Sequence, residues 1–425
     1  MKRVLIISHN SFSKTHNNGK TLSAIFSAFK REELCQLYFT PIGRPDYERC
    51  IDYYLISDRD ALLSIFRRRY CGTQLSKEPD ILTTGTPSTN KKKSRPNNAK
   101  KYLRTVIWML SSWYKGGLKD WIAVQKPDVI FYVGGDGVFS HRIAINLSKK
   151  LNLPLATYFT DDYIINPPSN CYNKLLKRVY KRTIYHSEKL FAIGKKMADD
   201  YTAYYNRVFM PIMNIVDIPL KEEWKAHQEN SLTINYFGGL HLGRVEEIIR
   251  FARFILSNVK DNLKKSYSIG IYSFSGLSEV EFRELEELGI DFHQGVTGSE
   301  LVEAMRNTDI LLHVESVKEE FHSLTKLSVS TKIPEYMCLT KPIIAFGPAD
   351  VASFSVVAEA TLEMVVNDVE DTKVMDRQAR HIIDILNSDE SLAKIADCNY
   401  HYAKLHFDRA IVAREFRDEI QEMLV

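Results

Sequence analysis

No run of apolar residues in this 425-residue chain approaches the roughly 18 that a bilayer-spanning helix needs, so no membrane span is expected. The opening MKRVLIISHN has a basic pair, but its apolar run is too brief for the core of a signal peptide and fits a first strand. A cytoplasmic protein is expected. Cysteine is sparse: Cys35, Cys50, Cys71, Cys171, Cys338 and Cys398 are scattered, with no CxxC pair. That spacing excludes a zinc site or a disulfide framework and leaves free thiols, so neither a metal nor a cofactor is expected. Acidic residues are nearly missing between Arg67 and Lys119, where only Glu78 and Asp80 stand against 13 Lys and Arg. This segment carries +11 and the rest of the chain −7, giving the net +4. A basic contact is therefore local, and nucleic acid is not an expected partner.

What is present describes a globular α/β protein. Apolar residues make up 44% and charged residues 26%, and the length suits two domains rather than one core. Strand and helix signals alternate: a strand at Val4 to Ser8, a helix at Lys20 to Phe29, a strand at Val129 to Val133, a helix at Ser140 to Leu151 and a strand at Leu155 to Phe159. A second series has strands near Ile234 to Phe237, Ser268 to Tyr272, Ile310 to Val314 and Ile343 to Phe346. Alternation of this kind predicts two Rossmann-like, doubly wound parallel sheets. The expected division is 1–215 for an acceptor-side domain and 216–407 for a donor-side domain. A basic insertion falls at about 66–119, the irregular 210–230 stretch is the linker, and a last helix at 408–425 can join either half. Residues 73–99 are rich in turn formers and read as a mobile loop.

The densest functional signal is Ser330 to Gly347, STKIPEYMCLTKPIIAFG. Pro334 is tolerated only in a first helical turn, so a helix starts about there, with Ser330, Thr331 and Lys332 at its N-terminal end. Such an end, with a lysine beside it, suits a phosphate or diphosphate, and Glu335 one turn in can accept hydrogen bonds from a ribose. The plainer reading is a helix capped by Thr331, with Glu335 at its positive end. Gly238, Gly239 and Gly243 follow a predicted strand, and Arg244 opens a helix from which it can grip a phosphate.

These segments resemble the nucleotide-sugar domain of two-domain B-type (GT-B) glycosyltransferases, especially the retaining family four. In that family an Arg and a Lys five residues on hold the donor diphosphate. Here Gly239 stands at the Arg position and Arg244 at the Lys position, with Lys332 or Lys326 as the replacement cation. The run Phe292 to Thr297, with Gly295 and Val296, resembles the segment whose backbone reads the base. Glu335 matches the ribose-binding glutamate. The partner glutamate is Leu327 here, leaving Glu315, Glu319 or Glu320 to supply that carboxylate. In the first half, the loop around Gly19 resembles the one facing the donor phosphates, and Asp161-Asp162 lies where the family carries a His-Asp pair near the acceptor. Those two carboxylates either orient an acceptor hydroxyl or cap the next helix.

The resemblance implies two domains facing a central cleft and transfer of a sugar from a nucleotide diphosphate to an acceptor hydroxyl. It further implies retention of configuration without a metal, and a sugar or lipid-linked oligosaccharide as acceptor. Tyr102, Leu103, Val106, Ile107, Leu110, Trp113 and Tyr114 recur at helical spacing among lysines and arginines. Residues 100–119 then either touch an anionic membrane surface, with Trp and Tyr at headgroup level, or pack on their own sheet. Two other functions share these features. Gly134-Gly135-Asp136-Gly137 resembles the turn of NAD and lipid kinases, and a two-lobed sugar or nucleotide sensor would use the same cleft without chemistry. Asp58-Arg59-Asp60 is read as a helix start rather than a metal-binding DxD.

Overall fold

The computed structural model describes residues 2–14, 17–67, 71–75, 98–165, 170–367 and 371–424. The chain forms two compact units, Met1–Ile212 with Ala410–Val425, and Met213–Arg409. The predicted loop at 73–99 lies outside the described residues except for its two ends.

The first unit is built on eight strands: β1 (Val4–Ser8), β2 (Leu34–Tyr38), β3 (Asp52–Leu55), β4 (Thr73–Leu75), β5 (Val129–Gly134), β6 (Leu155–Phe159), β7 (Lys189–Ala192) and β8 (Met210–Pro211). Their order is β4-β3-β2-β1-β5-β6-β7-β8, and only the β3–β4 pair is antiparallel. Strands β1, β5 and β6 are mostly apolar and buried at every residue, as expected of parallel strands covered on both faces. Pro211, which cannot donate to a ladder, sits on the edge strand β8. The final helix, Arg409–Glu422, inserts Phe416 among Phe26, Phe131 and Phe191 at ring distances of 5.0, 5.4 and 5.4 Å.

The second unit has six strands: β9 (Ser231–Phe237), β10 (Ser266–Ser273), β11 (Ile290–Gln294), β12 (Ile310–Val314), β13 (Ile343–Phe346) and β14 (Val365–Val366). They lie in the order β11-β10-β9-β12-β13-β14, all parallel. The doubly wound parallel expectation holds for both units. In each sheet the winding direction reverses once, between β1 and β5 in the first and between β9 and β12 in the second. Open α/β sheets present a crevice at the carboxyl ends of their strands at such reversals.

The helix expected to run to Tyr114 is Asn98–Leu110 and stops earlier. Trp113 and Tyr114 lie beyond it and pack half-buried on the first unit's core. Leu103, Val106 and Leu110 are exposed instead, as are Leu62, Leu63 and Phe66 on the neighbouring helix Asp58–Phe66. Asp58 joins the two helices by accepting from Arg104 at 2.9 Å and Trp108 Nε1 at 2.7 Å. Asp60 completes a capping box with Ser57, which accounts for the DxD sequence as a helix start.

Candidate functional site

At the reversal of the second sheet, β9 runs into Gly238 and Gly239, and the chain then enters the helix Arg244–Phe254. Gly238 has φ +150°, and a β-carbon there would collide with the ammonium of Lys332. Its bare backbone is what lets Lys332 lie against the end of β9. Tyr236 stands beneath that ammonium, 5.8 Å from ring centre to Nζ, and donates from its hydroxyl to the Gly239 carbonyl at 2.9 Å. From the next turn, Leu240 N–H donates to Ser275 Oγ at 3.0 Å. Tyr336, on the helix Lys332–Met337, accepts from Phe237 N–H at 3.2 Å and donates to its carbonyl at 3.3 Å. The glycine turn and the lysine helix are thereby bolted to one strand end.

Arg244 reaches across the reversal to Glu315, just past β12. Its Nη2 is 3.1 and 3.3 Å from the two carboxylate oxygens, with side chains only 13% and 3% exposed. Burial pushes the Glu315 carboxyl upward, and the Arg244 guanidinium opposes that shift. Burial and the nearby Arg244 charge pull Lys332 down to about 8, against the attraction of Glu335 and Glu315. His313 is buried at the end of β12, its Nε2 3.5 Å from Glu315 and without a hydrogen-bond partner among the described residues. Burial drives its pKa far down, so the ring is neutral. The site thus holds two cations and one buried carboxylate, and the repulsion between the cations is only partly offset. A bound dianion would offset it.

The other expected donor residues fall as follows. Ser330 receives Lys332 N–H on its hydroxyl at 3.4 Å, and its own N–H donates to Ser353 at 2.9 Å. Thr331 precedes the helix, exposed, with no capping bond from its side chain. Glu335 lies half-buried in the helix's first turn. Lys326 is held 2.5 Å from Asp350. Gly295 N–H donates to the Ser273 carbonyl at 2.8 Å, with Val296 half-buried beside it. A β-carbon on Gly295 would lie 2.5 Å from the ring of Phe274, which is 65% exposed at the end of β10. Leu327, at the expected glutamate position, is sealed in the core. Glu319 and Glu320 open the helix Glu319–Thr325, which leaves Glu315 as the carboxylate in the cluster.

At the reversal of the first sheet there is a cavity of about 190 Å³ lined by the ends of β1, β5 and β6. His9, Asp136 and Asp161 all line it. Lys101 pairs with Asp136 at 2.7 Å. Burial works against ionisation of Asp136, but Lys101 outweighs it and the pKa falls. Asp161 receives Thr160 and Tyr163 hydroxyls at 3.2 and 3.5 Å, yet burial raises its pKa. Asp162 does not line the cavity: it accepts from Ile164 and Ile165 N–H at 2.8 and 3.0 Å and from Tyr201 at 2.8 Å. Gly19 is buried in the helix Asn17–Ile25, against the backbone of Ser11. Among the described residues, no group of three or more His, Cys, Asp or Glu is arranged to hold a metal ion.

Sequence reasoning passed over His9, His313, Tyr236 and Phe274. The available signal was positional: each stands at or just beyond the carboxyl end of a strand flanking a reversal or its neighbour.

Neither a family model nor a curated protein matches the sequence. Solved structures do match over the whole chain. HepE (Alr3699) of Anabaena in complex with UDP is 12% identical, with a TM-score of 0.64 over 99% of this chain and 100% of that one. The lipopolysaccharide outer core galactosyltransferase WaaB in its apo form is 12% identical, with a TM-score of 0.60 over 99% of each chain. A glycosyltransferase from Rickettsia africae is 11% identical, with a TM-score of 0.60 over 100% of this chain and 99% of that one. The likeness is one of fold. Both parallel-sheet units, with their reversals, belong to the two-domain B-type glycosyltransferase fold.

Proposed function

We propose that the protein transfers a sugar from a nucleotide-diphosphate donor to an acceptor hydroxyl. The observation that carries this is the pair of cations, Arg244 and Lys332, gathered with a single buried carboxylate at the reversal of the second sheet. Departure of the diphosphate builds negative charge on its β-phosphate. Fixed cations in a poorly hydrated site stabilise that charge without reorganising at the moment of reaction. Arg244 offers a planar fork, and Lys332 a point charge held against the Gly238 backbone. Glu335 is assigned to the ribose, and Phe274, beside Gly295 and Val296, is the platform on which the base stacks.

HepE was solved with UDP and with UDP-glucose, so UDP-glucose is the first donor to try. Resemblance to the retaining family four supports retention, with no metal needed at the diphosphate. For the acceptor side, the proposal is a sugar or lipid-linked oligosaccharide used in cell-surface polysaccharide synthesis, met at the inner face of the membrane. The exposed apolar rows Leu103, Val106, Leu110 and Leu62, Leu63, Phe66, with exposed Lys100 and Arg67 nearby in sequence, support contact with an anionic lipid surface. Calorimetry with UDP and UMP, followed by hydrolysis of UDP-glucose, tests the donor assignment. UDP should bind at least tenfold more tightly than UMP, and equal affinity would remove the diphosphate from the site.

A further inference from the structure

The turn that joins β9 to the helix Arg244–Phe254 carries an imidazole with no role in the donor contacts assigned above. His241 stands in that turn between Gly239 and Arg244 and is accessible to solvent. We propose that His241 is a third cationic contact for the diphosphate, which takes up a proton as the donor binds, so that donor capture strengthens as pH falls. This rests on the donor site proposed above.

Backbone geometry puts the ring there. A β-carbon on Gly239 would lie 2.7 Å from His241 Nδ1 and 2.8 Å from its Cε1, so the imidazole lies against the bare peptide of Gly239. One residue earlier, Gly238 receives the ammonium of Lys332 in the same way. Two successive glycines therefore carry an ammonium and an imidazole, and Arg244 opens the helix just beyond them. Leu242 is what turns the chain back. It adopts φ +63° and Gly243 follows at +75°, a left-handed conformation that is unfavourable for a residue with a bulky side chain. Backbone held in such a state is concentrated at ligand clamps, where surrounding contacts enforce it. Here the enforcing contacts are Tyr236 hydroxyl to the Gly239 carbonyl and Leu240 N–H to Ser275 Oγ.

Charge decides what the ring does. Partial burial first, then the charges of Arg244 and of Lys332 from the helix Lys332–Met337, holds the His241 pKa below the usual 6.5. Both of those neighbours are cations. The carboxylates of the cluster act on them instead, Glu315 on Arg244 and Glu335 with Glu315 on Lys332. Tyr236, beneath Lys332, is pushed up to about 12 by burial and stays an uncharged phenol. In the ligand-free protein His241 is therefore neutral at about pH 7. A diphosphate reverses the balance, because it offsets both neighbouring cations and brings negative charge within reach of the ring, which favours imidazolium. Binding and protonation then strengthen each other by the same factor. Lys332 does not respond in this acid range: with a pKa of about 8 it already carries its proton at pH 6.

The test is calorimetry with UDP on the full chain at pH 6 and pH 8.5, comparing the unaltered protein with His241→Ala and His241→Gln. Ionisation of UDP and of the other histidines is common to the three proteins and cancels in the ratio of their affinities. At pH 6 the unaltered protein should bind UDP about tenfold more tightly than His241→Ala, and at pH 8.5 no more than about twofold more tightly. His241→Gln keeps a neutral hydrogen-bonding side chain and should lose as much affinity at pH 6 as His241→Ala. A ring that merely packed on Gly239 would give the same ratio at both pH values. A ratio that does not change with pH, or full affinity of His241→Gln at pH 6, overturns the His241 assignment and leaves the donor site standing. UDP binding by none of the three at either pH overturns the donor proposal and this one with it.

Discussion

The two sheet reversals are built on one plan and carry opposite chemistry. At the first, carboxylates from β5 and β6 face a neutral histidine from β1, and the associated lysine is spent on Asp136. At the second, cations from the Gly238–Arg244 turn and the Lys332 helix share a single buried carboxylate, Glu315. The backbone supplies the same crevice both times, so what distinguishes the two reversals is the charge of the side chains placed there.

Replacing the cation that spans the second reversal should have the largest effect. Arg244→Ala is expected to lower kcat/KM for donor turnover by about 100- to 1000-fold, as removal of one fixed charge at a developing anion does. Steady-state kinetics on the folded variant check this, and an unchanged value would break the contrast between the two sites. Phe274→Ala should weaken UDP about tenfold while leaving pyrophosphate affinity unaltered, both by calorimetry.

Lys332 gives the comparison a stability test. Its folded pKa of about 8 lies below the ordinary value of 10.5, so the folded protein binds fewer protons than the unfolded chain between those limits. Stability of the ligand-free protein should therefore rise as pH climbs from about 8 to 10.5. Lys332→Met should abolish that slope and stabilise the ligand-free protein at pH 7 by about 1–3 kcal/mol in chemical denaturation, while losing UDP affinity. A variant that is both less stable and equally tight for UDP would show that Lys332 serves packing. Glu335→Gln should cost a smaller factor, about three- to tenfold in UDP affinity. For the apolar rows, Leu103→Lys with Phe66→Lys should reduce co-sedimentation with anionic vesicles; no sedimentation of the unaltered protein would remove the lipid contact.

Much of the fold was legible because its central strands are continuous apolar runs. Val4–Ser8, Leu155–Phe159, Ile310–Val314 and Ile343–Phe346 occur where their β-branched and aromatic residues predict. Strand β2 was not predicted, since Gln36 interrupts its apolar run; its side chain is buried, accepting from Phe12 N–H at 2.9 Å and donating to Ser8 at 2.8 Å. Strands β3 and β7 are four residues each and β14 only two, too short for a period to register. At the second reversal Arg244 and Lys332 could be singled out because each neighbours its own local signal, a glycine turn and a proline-marked helix start. The Arg244–Glu315 pair spans 71 positions and exists only because β9 and β12 are neighbours, so Glu315 could be named only as one of three carboxylates. His9 follows an ordinary strand in sequence, and what isolates it is a tertiary fact, the approach of Gly135 and Gly137 in the turn after β5 and of the Phe139 ring on the next helix.

The central claim is that the second reversal is an anion site whose buried lysine has a lowered pKa that a bound diphosphate raises. Titrating UDP into the protein at pH 8.5, in buffers of different ionisation enthalpy, measures the protons taken up on binding. Uptake of a substantial fraction of one proton per UDP, absent in Lys332→Met, is predicted from a ligand-free pKa of about 8 that rises when the diphosphate binds. UDP binding without proton uptake, or with the same uptake in Lys332→Met, would contradict it.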